Sequence, residues 1–221
     1  MSLLQKITNR AWWTLPSSGT LRGYDSGELL NFIFAKSIAY RKFKPWPEMA
    51  RTATVLDFGG GFGAHYRRAS HFAPSVRWAV VEAPETVAVS GPMAADHLKF
   101  FTSIEAAKTW LGSVDVVYSN AAIQFTSEPE RYVSELCAVG AQKMVWDRIL
   151  LSEGARRPHV QISLLTENGP GISFSRKRVE ASVIRMPERT FLEAHSGYDL
   201  ATRTGRQGDR DGESFVFTKR L

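Results

Sequence analysis

Residues 54–64 read Thr-Val-Leu-Asp-Phe-Gly-Gly-Gly-Phe-Gly-Ala. Val55, Leu56 and Phe58 have the apolar, extended character of a buried strand. Asp57 closes that run, and Gly59, Gly61 and Gly63 follow at alternate positions. Glycines after a strand let the backbone approach a ligand closely, because no Cβ stands between. The helix that such a turn opens offers free N–H groups and the positive end of its dipole. A carboxylate just before the glycines repels phosphate and attracts an amine, so the segment suits a zwitterionic ligand better than a dinucleotide.

Asp-x-Gly-x-Gly-x-Gly after a short apolar strand resembles the first motif of class I S-adenosylmethionine-dependent methyltransferases. The resemblance implies that Asp57 lies near the methionine amino group, directly or through water. It also implies that Gly59, Gly61 and Gly63 let the loop pass close to the cofactor. Gly59-x-Gly61-x-x-Ala64 also fits the alanine variant of the NAD/FAD fingerprint. Asp57 argues against that reading, since a carboxylate there would face the pyrophosphate. A bare strand-to-helix turn is the third alternative.

The chain has 221 residues, room for one α/β domain and too few for a comfortable second. The expected division is a helical N-terminal extension over 1–50, a cofactor-binding half over 51–150 and a substrate-side half over 151–221. One cysteine, Cys137, excludes an internal disulfide framework and points to a reducing compartment. No apolar run approaches the ~20 residues that span a bilayer, and residues 1–10 lack the apolar core of a secretory signal. A cytoplasmic location is the expectation. The net charge of +6 is spread over 28 basic and 22 acidic residues, with small clusters at 41–44, 156–157 and 176–178. Nucleic acid is not expected, because its binders concentrate charge on one face with aromatic residues between. A small-molecule or glycan substrate, anionic in one version, is the expected partner.

Ser26–Ala39 carries the pattern of a helix, and Pro45-Trp46-Pro47 punctuates before the first sheet strand. Strands are then expected at Val55–Phe58, Arg77–Glu82, Lys99–Thr102, Val114–Ser119 and Lys143–Asp147, with helices between them. Beyond Leu151, strands are expected at Val160–Leu164 and Phe215–Lys219, a turn at Gly169–Gly171 and a helix over Met186–His195 opened by Pro187. Thr202–Gly212 reads as a loop. The order predicts a Rossmann-like, doubly wound α/β fold. The methyltransferase resemblance makes it a seven-stranded, mostly parallel sheet with an antiparallel last strand.

Glu82 ends an apolar strand one βα unit after the glycines, where an acidic residue accepts hydrogen bonds from ribose hydroxyls. That position supports a nucleoside without separating S-adenosylmethionine from NAD. In the resembled class the next strand end often contacts adenine; here it offers Thr102 or Ser103. Asn120 and Gln124, after the fourth strand, can orient ligands without titrating, and each also reads as a capping or loop residue. Asp115, at that strand's start, is expected to be structural. Asp147 and Arg148 project from the fifth strand as a candidate base and anion clamp, or as a mutual salt bridge. His159 is a candidate base, since histidine is the side chain suited to proton transfer near neutral pH. His65 is a candidate for lining the cofactor pocket, while His71, His97 and His195 read as surface or loop residues. No metal-ligand spacing occurs.

Over nearly its whole length the chain also resembles a less-characterised bacterial group of methyltransferase-like proteins. The features that carry this are Gly23-Tyr24-Asp25, Leu56–Gly61, Trp78–Glu82, Val160-Gln161 and Gly197-Tyr198-Asp199-Leu200. The resemblance implies that Tyr24 folds over the cofactor and that Gln161 lies near the substrate pocket. It also implies a sugar derivative from surface-polysaccharide assembly as acceptor. Two alternatives stand beside a methyltransferase: an NAD-dependent oxidoreductase and a non-catalytic partner protein of the same fold. The oxidoreductase calls for a hydride-transfer pair such as Tyr/Lys near the fifth strand, and none is evident.

Overall fold

The computed structural model describes residues 20–22, 27–39, 43, 45–46, 48–165, 177–205 and 212–220. Among these, β1 (Thr20–Arg22) and helix α1 (Gly27–Ala39) precede the glycine segment. Four βα units follow: β2 (Thr54–Phe58) with α2 (Ala64–Ala69), β3 (Arg77–Val81) with α3 (Pro84–Val89), β4 (Leu98–Phe101) with α4 (Ile104–Leu111), and β5 (Val116–Asn120) with α5 (Pro129–Ala138). The chain continues through β6 (Lys143–Ile149), β7 (Leu151–Ser152), β8 (Arg157–Leu164), β9 (Arg178–Pro187), α6 (Glu188–Ala194), β10 (Tyr198–Thr204) and β11 (Glu213–Lys219).

Seven strands form the main sheet in the order β4-β3-β2-β5-β6-β11-β10. β11 runs antiparallel to both of its neighbours, and the other pairings are parallel. The Rossmann-like fold expected from the sequence is present, reversed last strand included. Both faces of the sheet are covered, which is why the central strands carry apolar residues on both sides, with buried polar exceptions such as Asp57 and Ser119. On one face Leu56, Phe58, Val117, Met144 and Trp146 pack with Ala107 and Leu111 of α4, Leu136 of α5 and Phe191 of α6. On the other, Val55, Trp78, Val80, Tyr118 and Val145 pack with Ala69 of α2 and with Trp46 and Met49. Asp115 accepts the Ala53 and Thr54 N–H groups at 2.7 and 3.1 Å, stapling β5 to β2 at their amino ends. Its structural reading holds.

A second, smaller sheet was not foreseen. β9 pairs antiparallel with β8 and parallel with β1 and β7. Its apolar residues alternate, with Val179, Ala181 and Val183 buried, the period expected of a half-buried strand. β9 runs through Pro187, so the expected helix at Met186–His195 begins instead at Glu188, with Pro187 as its cap residue. A proline fits there because it has no N–H to contribute to a helix or ladder. β10 reaches Thr204, taking the first residues of the expected 202–212 loop. The expected turn at 169–171 lies outside the described residues.

α1 joins the two sheets. Leu29 packs with Leu165 and Val179 of the small sheet, and the ring of Phe34 meets Phe62 of the glycine segment edge-on at 5.3 Å.

Candidate functional site

In the main sheet the connections turn in opposite directions from β2, to β3 on one side and β5 on the other. Open α/β sheets bind ligands at the carboxyl edge of such a switch point. The loops after β2 and β5 meet there closely. A Cβ built on Gly59 would stand 2.1 Å from the Cβ of Ala122, and Gly59 has φ +72°. Only glycine fits. Gly61 (φ +57°) and Gly63 (φ +74°) share that left-handed backbone. At Gly61 a Cβ would meet only Ile33 Cγ2 of α1, at 3.7 Å, among the described residues. The bare side of the loop therefore opens toward α1.

Asp57 lies under this loop, fully buried, on the face it shares with Tyr118 and Val80. Its Oδ2 accepts the Trp78 indole N–H at 2.9 Å and lies 3.2 Å from His65 Nδ1. Its Oδ1 is buried and has no partner. A Cβ on Gly60 would stand 2.3 Å from Oδ2, so the carboxylate and the loop are in direct contact. His65, expected near the cofactor, is itself buried and sits edge-on to the Tyr118 ring at 4.9 Å.

Glu82 follows β3 and closes the other side of the loop. Its Oε1 accepts the Gly61 N–H at 2.9 Å and its Oε2 the Ala83 N–H at 2.9 Å. Burial pushes this carboxyl above its ordinary range; the Ala83 and Gly61 N–H groups pull it back, and the Asp57 charge adds to the rise. Thr102 is exposed just past β4, while Ser103 caps α4 by accepting the Ala106 N–H at 3.2 Å.

Farther along the carboxyl edge, the ends of β5, β6 and β11 carry a polar network. Asn120 Nδ2 donates to Asp147 Oδ2 at 3.1 Å and to the Tyr118 hydroxyl at 3.1 Å. Ser214 donates its hydroxyl to Asp147 Oδ1. Both oxygens of Asp147 thus hold hydrogen bonds. Arg148 does not pair with Asp147; its Nε donates to Asn120 Oδ1 at 2.7 Å. Arg148 has φ +56° and the neighbouring Ala121 φ +51°, a conformation that costs a non-glycine residue energy and gathers at functional sites. Buried Gln124 holds this backbone by donating Nε2 to the Arg148 carbonyl at 3.1 Å, and its Oε1 has no partner.

His159 and Gln161 belong to β8, opposite Val183 and Ala181 of β9. Paired residues of an antiparallel ladder point to one side, so both side chains lie on the small sheet's inner side. His159 is exposed and Gln161 half-buried. Tyr24 lies outside the described residues. The main sheet therefore brings together Asp57, the glycines, Glu82, Asn120, Gln124, Asp147 and Arg148, whereas His159 and Gln161 sit in the other sheet. His195 is no surface residue. It is buried against Phe217, with rings 4.0 Å apart, accepts the Trp146 indole N–H at Nε2 (2.7 Å) and lies 2.7 Å from the Phe191 carbonyl at Nδ1. Its neighbours come from β6, α6 and β11, and no local pattern announces such company.

Sequence reasoning passed over the roles of Trp78, which sits opposite Val55 and reaches Asp57 from beneath the edge, and of Ser214 at the edge itself. Trp78 reads as one more apolar strand residue. Ser214 reaches the site only because β11 runs backwards. Among the described residues, no group of three or more His, Cys, Asp or Glu is placed to hold a metal, and no helix is long and apolar enough to cross a membrane.

No protein-family profile matches the chain, and no curated protein matches it in sequence. Solved structures do match in fold. An O-methyltransferase family protein from Burkholderia thailandensis superposes with a TM-score of 0.52 at 12% identity, over 89% of this chain and 58% of that one. The sugar N-methyltransferase KedS8 from Streptoalloteichus sp ATCC 53650 gives 0.51 at 16%, over 86% and 88%. The N-terminal domain of EvdMO1, solved with SAH bound, gives 0.50 at 13%, over 88% and 82%. The fold is that of the class I methyltransferases.

Proposed function

We propose that this protein is an S-adenosylmethionine-dependent methyltransferase acting on a small-molecule or glycan-type acceptor, with a hydroxyl oxygen receiving the methyl group. The observation that carries the reading is the buried, unpartnered Oδ1 of Asp57 beneath a loop that admits no side chain at Gly59. Burying a carboxylate oxygen without a donor is costly, and a cationic ligand group relieves the cost. Glu82, tied to the same loop, stands where ribose hydroxyls would donate. These residues fit the methionine and ribose parts of one ligand.

Bound there, S-adenosylmethionine would supply a methyl group already activated on a sulfonium, so much of the rate can come from holding donor and acceptor in line. The chain's own contribution is then positioning. Asn120, fixed between Asp147 and Arg148, and Gln124 would shape the acceptor side of the switch point. Arg148 would offer its guanidinium to an anionic group of the acceptor, a geometry in which arginine binds carboxylate or phosphate through two parallel bonds. Asp147, with both oxygens engaged, would orient Asn120. His159 is the residue we assign as base, with Gln161 beside it on β8. The sugar N-methyltransferase activity of KedS8 supports a glycan-like acceptor for this fold.

Isothermal titration with S-adenosylmethionine, S-adenosylhomocysteine and NAD tests the cofactor assignment. Binding of both sulfur compounds is expected, weakened at least tenfold by Asp57→Ala. Silence with both, or tight NAD binding, overturns it. A mass-spectrometric screen of nucleotide sugars and glycans for a methylated product tests the acceptor class.

A further inference from the structure

The two oxygens of Asp57 are treated differently by the fold. Oδ2 takes the indole N–H of Trp78 from β3 and faces the His65 ring of α2, whereas Oδ1 takes nothing although it is equally buried. Trp78 is a donor only, and an ionised carboxylate can only accept, so the tautomer of His65 that bonds it at 3.2 Å carries its hydrogen on Nδ1 and two elements bear on one oxygen. Neither residue belongs to the glycine segment. Both are buried, and the His65 ring is backed by Tyr118 edge-on at 4.9 Å and by Phe43 at 6.4 Å. The ring cannot swing away from the carboxylate without disturbing that aromatic cluster. An unanchored carboxylate would rotate to share its donors between both oxygens. This one is fixed with its free oxygen unshared.

We propose that His65 and Trp78 are positioning residues that hold Asp57 Oδ2 so that Oδ1 is reserved for the primary ammonium of the ligand's amino-acid part. The inference rests on the cofactor reading above. It assigns His65 no contact with ligand; the residue acts through Asp57. The consequence is selective. Losing the anchor weakens ligands that carry the ammonium and spares those that carry only the nucleoside and thioether, which Glu82 and the loop hold.

5′-Methylthioadenosine provides the comparison, since it has the nucleoside and thioether of S-adenosylhomocysteine but lacks the amino-acid group. In titrations of the full chain, His65→Leu is expected to raise the Kd of S-adenosylhomocysteine about tenfold and to leave that of 5′-methylthioadenosine within twofold. His65→Asn, which returns an N–H near the position of Nδ1, is expected to recover most of the loss. Trp78→Phe removes the other donor and is expected to act in the same direction, giving a second route if His65→Leu does not fold. Parallel weakening of both ligands would mean that His65 and Trp78 only support the fold, and would overturn the proposal. Unchanged S-adenosylhomocysteine binding in His65→Leu would overturn it as well. Wild-type protein that binds neither compound would instead bring down the cofactor reading, and the proposal with it.

Discussion

Gly59 shows how much one backbone position decides. Its φ of +72° strains any side-chain-bearing residue, and its missing Cβ leaves room for Ala122 to close the gap between the loops after β2 and β5. Gly59→Ala must accept a left-handed conformation, at about 1–2 kcal/mol, and relieve a contact of 2.1 Å, which overpacking data put at about 1–3 kcal/mol. Together these come to about 2–5 kcal/mol, which for a chain of this size corresponds to a melting temperature roughly 4–20 °C lower. Differential scanning calorimetry checks this; a shift of about 1 °C would show that the loops are not in firm contact. Asp57 and the glycines could be read from sequence because their chemistry is local: a strand, a carboxylate and a turn within one short segment. Trp78 and Ser214 could not, since each gains its role from a partner on another strand, 21 residues away for Trp78 and 67 for Ser214.

At the level of elements, the βα units were legible because apolar strands buried on both faces announce themselves as short continuous runs. β9 carried a readable signal, the alternation of Val179, Ala181 and Val183, but Pro187 drew attention to a helix start two residues early. β10 carried almost none: apart from Tyr198 its residues are exposed, so hydrophobic patterning had nothing to reveal. α1 was legible as a helix, though not in what it covers. Its Leu29 belongs to a small cluster with Leu165 and Val179, separate from the two main cores. Leu29→Ala is expected to cost about 2–4 kcal/mol, borne by α1 and the small sheet first, since such satellite regions open independently of the core. Native-state hydrogen exchange should show α1 amides exchanging at least tenfold faster and β2 amides unchanged. Equal acceleration in β2 would mean that α1 and the main sheet open as one unit.

For the molecule as a whole, His195 links stability to pH. Burial lowers its pKa to about 4, although the Phe191 carbonyl favours the proton, and the Trp146 N–H at Nε2 leaves Nδ1 to carry the hydrogen of the neutral ring. An unfolded histidine titrates near 6.5. Between pH 6.5 and 4 the unfolded chain therefore binds a proton that the native state refuses, and stability falls as the pH falls through that window. The full effect is on the order of 3 kcal/mol. Urea denaturation at pH 7 and pH 4.5 measures it: the loss on acidification should be smaller by that amount in His195→Gln, a variant that is less stable at pH 7. Equal losses in the two proteins would show that His195 can be protonated in the native state.

The reversed strand β11 has a consequence for synthesis. β10 touches the main sheet only through β11, and β11 fills the place between β10 and β6. As the chain leaves the ribosome, the sheet must therefore wait at the five strands from β4 to β6, with β6 as a bare edge, until the last strand has emerged. β10 has to stand aside and leave a slot for a neighbour not yet made. Ser214 comes with that strand, so Asp147 gains its second hydrogen bond only then. The loops after β2 and β3 can settle before β11 is made, whereas the network of Asn120, Asp147 and Ser214 is complete only once β11 has paired with β6.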